Sequence, residues 1–348
     1  MGRVISSLRN GCWCAWSLAA LLLAVPAAAL PAEAPPSPDE DNRASLLQRA
    51  SDAVIGVETR AVPGARSAET LGPQRSGSGI VVGPEGLVLT IGYLILEADV
   101  VDLVLDDHRR VPAQPVAYDL ATGFGLVKPL LPLPVEPVPL GSAGTVQLEE
   151  PLMVASGGEQ GAISMARLQS RRSYAGYWEY HIEGALFTAP ARSDHSGAGL
   201  FNGRGELVGV GSLYVPDVGG KGERLPGNMF VPVDLLKPIF AELRARGSSK
   251  ASTRPWLGVN CAELGGAIHV IRITRDSPAE EAGLLPGDEI SSVDGTEVRD
   301  LETFYKTLWR RSQAEGEVRL EIHRGSNAQT LTVRSIDRMK SLVRPGGI

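Results

Sequence analysis

The chain reads as a mainly β protein built from two folded units, and three observations point that way. Glycine (40) and proline (25) are plentiful among 348 residues while aromatics make up only 5%, a mixture that supplies turns rather than helix–helix packing. From Ile55 to about Tyr214 short apolar runs alternate with turn signals, among them Gly79–Val82, Leu87–Thr90, Val100–Leu105, Gly125–Leu130, Leu152–Ala155 and Glu206–Tyr214. Gly83-Pro84-Glu85-Gly86 and Asn202-Gly203-Arg204-Gly205 punctuate these runs as tight turns. No regular strand–helix alternation appears, which argues against a parallel α/β sheet. The length allows two domains, each burying its own core.

Taken in order, residues 1–29 read as a secretory signal. Arg3 and Arg9 supply the positive start, Ala15 through Val25 the apolar stretch, and Ala27-Ala28-Ala29 a small-residue cleavage site. The alternative is an uncleaved anchor in the inner membrane, although the run from Trp13 to Leu30 falls just short of a comfortable span. Residues 30–44 are Pro-, Ala- and acid-rich and read as a disordered linker. Leu46, Leu47, Ala50 and Val54 then follow a helical spacing and predict a short helix before the first strand. A first domain over 45–247 closes with a helix from Val233 to Arg246, a short linker occupies 248–253, a second domain spans 254–337, and 338–348 form a tail.

A net charge of -6 and a pI near 5.5 leave no basic footprint, so nucleic acid is not an expected partner. Cys12 and Cys14 would leave with the signal, and Cys261 alone cannot make an internal disulfide, so packing must carry the stability. Cys261 sits in a strand-like run and reads as a buried small hydrophobe. No cofactor is expected: His108 reads as a solvated turn residue, and His181, His269 and His323 are scattered without metal-ligand spacing. Neither a G-x-S-x-G elbow nor an S-x-x-K motif occurs.

Three segments carry the chemistry: Gly86-Leu87-Val88-Leu89-Thr90-Ile91-Gly92-Tyr93, Asp119-Leu120-Ala121-Thr122-Gly123-Phe124-Gly125-Leu126-Val127-Lys128, and Ser193-Asp194-His195-Ser196-Gly197-Ala198-Gly199-Leu200. Their order and wording resemble the HtrA/DegP family of trypsin-like proteases. The second unit, with Trp256-Leu257-Gly258-Val259, Ser277-Pro278-Ala279-Glu280-Glu281-Ala282-Gly283-Leu284, Pro286-Gly287-Asp288-Glu289-Ile290, the Asp294-Gly295 turn and an amphipathic helix from Leu301 to Arg311, resembles the PDZ domain that follows such proteases. The resemblance covers residues 45 to 337 and implies a chymotrypsin-like double β-barrel followed by one PDZ domain, exported to the periplasm.

In that family the three segments carry His, Asp and Ser. Here Ser196 stands at the nucleophile position, Tyr93 at the histidine position and Gly123 at the aspartate position. A free phenol is ionised only about 0.1% at pH 7 and is a poor base, while glycine has no carboxylate with which to orient one. Asp194 replaces the glycine whose N–H forms part of the oxyanion hole, and its β-carbon restricts the unusual backbone angles glycine can adopt; losing one such donor costs roughly 3 kcal/mol, and a like charge adds to that. His195 is the one candidate substitute base, but neighbours in a tight loop direct their side chains apart. Lys128 reads as a solvated charge at a strand end.

For the PDZ-like unit the resemblance implies a carboxylate loop at Leu257-Gly258-Val259, a docking strand from Asn260 onward, and a facing helix whose Phe304, Tyr305 and Leu308 share core and groove duties. The expected function is a catalytically degenerate periplasmic protein that binds unfolded polypeptides or protein C-termini as chaperone, adaptor or regulator. A second reading is an active serine endopeptidase using Ser196 with a non-standard base. A third is a non-catalytic subunit joined to an active homologue. Family members commonly trimerise through N-terminal aromatics, yet residues 31–92 contain no Phe, Tyr or Trp, which counts against a homotrimer.

Overall fold

Among the described residues, twelve strands close into two six-stranded barrels and seven more form one further sheet. The computed structural model describes residues 38–83, 85–220 and 222–343; residues 1–29, expected to be a signal, residues 30–37 and the last five of the tail lie outside them. The first barrel holds β1 (Val54–Ala61), β2 (Gln74–Val81), β3 (Val88–Ile91), β4 (Ala98–Val104), β5 (Arg110–Tyr118) and β6 (Phe124–Pro129), in the order β1-β2-β3-β6-β5-β4. The second holds β7 (Pro151–Ala155), β8 (Ile163–Gly176), β9 (Tyr180–Ala189), β10 (Gly199–Phe201), β11 (Leu207–Val215) and β12 (Gly227–Pro232), in the order β10-β11-β12-β9-β8-β7. The third sheet comprises β13 (Pro255–Trp256), β14 (Val259–Leu264), β15 (Ala267–Ile273), β16 (Glu289–Val293), β17 (Thr296–Glu297), β18 (Gly316–Arg324) and β19 (Asn327–Asp337), with β14 on its edge. The predicted mainly β class therefore holds.

Seven α-helices accompany the strands among the described residues: α1 (Pro38–Asp52), α2 (Ala68–Leu71), α3 (Gly92–Ile95), α4 (Phe240–Arg246), α5 (Pro278–Glu281), α6 (Leu301–Trp309) and α7 (Arg338–Ser341). Two expectations need correcting. The stretch expected to be disordered through residue 44 is helical from Pro38, because Asp39, Glu40 and Asp41 place negative charge against the positive end of the helix dipole. The helix expected from Val233 to Arg246 is broken into a 3-10 turn at Val233–Leu235 and α4, with Pro238 between them. Proline has no N–H to continue the ladder.

The sequence did not announce β5, β8 and β9. Pro112 and Pro115 obscure β5, and most of β8 is half-buried or exposed, so it shows no alternation. Yet β8 and β9 form the longest hairpin of the second barrel, paired from Arg167–Ala189 out to Gly176–Tyr180. The short linker is no free hinge. Ser252 Oγ donates to Asp119 Oδ1 at 2.6 Å and accepts from Leu120 N at 2.8 Å, while Ser249 N donates to the same carboxylate at 3.1 Å. Asp119 is fully buried; burial pushes its carboxyl up, but the bonds from Ser249, Ser252 and Thr122 outweigh this and hold it below the usual carboxylate range. Cys261 is free and buried in the core of the third sheet, which pushes its thiol up.

Candidate functional site

Tyr93 lies on α3, a single turn whose carbonyls would otherwise lack partners. Arg75 Nη1 donates to Tyr93 O at 2.9 Å and to Leu96 O at 2.6 Å, and Thr59 Oγ1 donates to Leu94 O at 2.6 Å. Ser196 is held from the other side: its carbonyl accepts from Ser78 N at 2.8 Å, and Gly197 N donates to Gly211 O at 2.8 Å. The two meet across 103 residues of chain, Tyr93 Oη standing 2.8 Å from Ser196 Oγ and 2.9 Å from the Ser212 carbonyl oxygen. A carbonyl can only accept, so the phenol donates to Ser212 and accepts a hydrogen bond from the Ser196 hydroxyl. Burial pushes the phenol up to about 12, against the Ser196 hydrogen bond. At neutral pH this oxygen is an acceptor with little capacity to take a proton.

Gly123 adopts φ +76, and a β-carbon there would lie 3.0 Å from Tyr180 Oη and 3.3 Å from Tyr180 Cε2. The space into which an acidic side chain would project is thus taken by Tyr180. Its ring stacks on Trp178 (centroids 5.3 Å, 12°) and meets Tyr174 edge-on at 6.4 Å. Sequence reasoning missed Tyr180. The available signal was the run Tyr177-Trp178-Glu179-Tyr180, conspicuous in so aromatic-poor a chain.

Asp194 does not stand as a bare charge. Arg192 Nε donates to its Oδ1 at 2.9 Å, and Arg192 Nη2 and Ser156 Oγ both bond Oδ2. Burial pushes the carboxyl up, but Arg192 and Ser156 bring it below its ordinary value. The like-charge penalty expected at this position is therefore offset by a guanidinium. His195 Nδ1 lies 2.9 Å from the Arg192 carbonyl, to which it must donate; among the described residues no hydrogen bond joins its ring to Ser196.

The second candidate site lies on the third sheet. Gly258 has φ +84, and a β-carbon there would fall 2.3 Å from Ser277 Cβ, so the Leu257-Gly258-Val259 loop requires glycine at its centre. Leu257 N and Gly258 N each donate at 2.9 Å to one carboxylate, the Oε1 and Oε2 of Glu179. Glu179 lies in the β8–β9 turn, only 3% exposed. Burial raises its carboxyl while the N–H groups of Leu257, Gly258 and Val259 pull it back. On the edge strand, Cys261 N donates to Tyr177 O at 2.8 Å. Facing it on α6, Tyr305 Oη donates to Gly176 O at 2.7 Å and accepts from Glu179 N at 3.2 Å. Phe304 and Leu308 are fully buried in the core of this sheet, so of the three helix residues Tyr305 is the one that meets the β8–β9 turn through a hydrogen bond. The Asn260 side chain, with its amide oriented to satisfy both neighbours, accepts from Arg272 Nη2 at 2.8 Å and Nε at 2.9 Å.

A cavity of about 850 Å³ joins the two places, lined by Tyr93, Gly123, Trp178, Tyr180, His195 and Asn260 among others. His181, expected to be isolated, is brought beside Glu183 and Glu302, with Nε2 at 3.8 and 3.4 Å from their oxygens. The Lys306 ammonium already bonds both carboxylates, at 3.3 and 2.6 Å, and fills the cation's place. His108 sits in an exposed turn at φ +62, and Lys128 forms a half-exposed 3.5 Å pair with Glu85.

Two barrels with facing loops, then a small sheet with a glycine loop beside its edge strand, define a class: a trypsin-like peptidase domain followed by a PDZ domain. The trypsin-like peptidase domain family matches residues 77–210 and the PDZ domain family residues 255–334. The chain is HtrA/DegP-like, with one PDZ domain. A curated relative named as the serine protease HhoA of Synechocystis is 26% identical over 289 residues, 74% of this chain and 70% of that protein. A periplasmic serine endoprotease DegP-like protein of Hahella chejuensis is 28% identical over 258 residues, 65% of this chain and 49% of the relative. Its counterpart in Pseudomonas savastanoi is 27% identical over 290 residues, 78% and 57% respectively. The chain spans about half the length of these DegP-like relatives. Among solved structures, the HtrA-type protease AlgW with a decapeptide superposes with TM-score 0.53 at 22% identity, covering 84% of this chain and 98% of that one. The serine endoprotease from Yersinia pestis gives 0.53 at 19%, covering 88% and 100%. At these identities the likeness is one of fold.

Proposed function

We propose that this chain is an HtrA/DegP-like periplasmic protein that binds polypeptides or their C-termini, as chaperone, adaptor or regulator, without serine-protease turnover. The observation that carries the reading is the phenol on Ser196: the hydroxyl that a protease must deprotonate faces Tyr93 Oη at 2.8 Å, and that oxygen is engaged with the Ser212 carbonyl. Gly123 offers no acid, and Tyr180 occupies the adjoining space. Loss of triad members in a working enzyme costs on the order of 10⁶ in rate. Peptide binding is supported by the loop itself, whose consecutive N–H groups hold a carboxylate. Export to the periplasm is supported by the signal-like leader and by the names of the DegP-like relatives; among the described residues no helix is long and apolar enough to cross a membrane. We assign the peptidase-like domain to 45–247 and the PDZ domain to 254–337.

The test compares purified chain with Ser196→Ala on casein and with a fluorophosphonate probe. Equal, background-level cleavage and no labelling at Ser196 are expected. Cleavage or labelling that Ser196→Ala abolishes would falsify the absence of turnover.

A further inference from the structure

We propose that Glu179 is an internal substitute for a ligand's terminal carboxylate, and that the β8–β9 hairpin holds the PDZ groove shut. A C-terminal peptide then binds only by displacing this hairpin and, with it, the Trp178–Tyr180 stack beside Tyr93. The inference rests on the reading that the groove takes C-termini, and it adds what occupies the groove at rest and what must move.

The hairpin tip meets the carboxylate loop, the edge strand and the facing helix of the groove. Glu179 gives one oxygen each to Leu257 N and Gly258 N, both at 2.9 Å. Tyr177 supplies the carbonyl that pairs with Cys261 N on the edge strand, the first step of strand addition. Tyr305, from the helix opposite, grips Gly176 O and Glu179 N with one hydroxyl. A buried carboxylate is costly unless hydrogen-bonded, and the loop N–H groups are the partners that make this one tolerable. Glu179 also sits at φ +55, a conformation that a non-glycine residue holds only where its surroundings impose it.

An occupant tethered in the same chain acts at an effective concentration on the order of millimolar, so the apparent affinity for a free peptide falls by the fraction of time the groove is open. Displacement also reaches the other site. Trp178 and Tyr180 flank Glu179 in sequence and stack on one another, and Tyr180 is the residue that fills the space at Gly123. Moving the tip therefore unpacks the cavity wall next to Tyr93 and Ser196.

The test uses the whole chain and a labelled pool of decapeptides ending in Val, Leu, Ile or Phe, with free or amidated C-termini. In Glu179→Gln the amide NH₂ can no longer serve as an acceptor for the loop N–H groups, so the tip should release. Free-carboxylate peptides should bind this variant at least tenfold more tightly than the wild type, and amidated ones should not. In the wild type, saturating peptide should speed hydrogen exchange at residues 176–180. Tyr305→Phe, which keeps the ring and loses only the grip, should shift affinity in the same direction by a smaller factor and covers the case in which Glu179→Gln folds poorly. Equal peptide affinity in wild type and variants, with unchanged exchange at the tip, overturns the inference while leaving C-terminal binding intact. Absence of binding in all three proteins, with the tip of Glu179→Gln exchanging freely, overturns both.

Discussion

The cleft at Ser196 and the groove at Gly258 are both filled by side chains of this same chain, and they are filled in opposite senses. At Ser196 a phenol meets the hydroxyl and a second tyrosine fills the space beside Gly123, so on the proposed reading the site keeps its hydroxyl and its loop without a base. At Gly258 a carboxylate occupies loop amides whose geometry suits an anion, so the site retains its chemistry and is only covered. The contrast separates two ways for a site to be silent. Under the two proposals, one site lacks a functional group and is restored by substitution, while the other holds an internal ligand and is restored by competition.

The sharpest way to break the comparison is to rebuild the cleft. Tyr93→His with Gly123→Asp should leave casein turnover undetectable, because the new β-carbon would sit 3.0 Å from Tyr180 Oη at φ +76. Adding Tyr180→Ala makes room for the acid and should give the first Ser196-dependent cleavage, recovering part of a deficit on the order of 10⁶. Asp194→Gly added last should matter less, since Arg192 already balances that charge. Efficient cleavage by the double variant alone would mean that Tyr180 gives way easily.

A smaller effect tests the groove. Gly258→Ala drives a β-carbon to 2.3 Å from Ser277 Cβ at φ +84, and should lower stability by about 2–4 kcal/mol in urea unfolding at pH 7. Ser196→Ala in the cleft should cost only about 1 kcal/mol, the worth of one hydrogen bond. Similar losses at the two positions would remove the claim that the groove is the more tightly specified site.

The smallest effect concerns pH. An unfolded phenol titrates near 10, and burial pushes Tyr93 up to about 12 in the folded chain. The folded state therefore keeps its proton where the unfolded state loses it, so this contribution to stability is complete below about 10 and fades as pH rises toward about 12. Urea midpoints measured from pH 8 to 11.5 should fall less steeply for Tyr93→Phe than for the wild type. Parallel curves would place Tyr93 in a more solvated setting.

Much of this was legible in the residues and some was not, and the division follows sequence distance. Local patterns announced the barrels' apolar runs and the α6 helix with its Leu301, Phe304, Tyr305 and Leu308 stripe. Short motifs, read in order along the chain, also singled out Ser196, Tyr93 and Gly123 as the candidates that the family resemblance implies. Pro238 and the acidic start of α1 are legible in the sequence as well. What only the tertiary structure decided are contacts between distant segments: Tyr93 on Ser196, Tyr180 over Gly123, Ser156 on Asp194 from 38 residues away, and Glu179 on Gly258 from 79 residues away. A hydrogen bond depends on where two backbones bring their atoms. Nothing in the wording of β8, mostly half-buried or exposed, or of β9, mostly buried, states which surface their turn will reach.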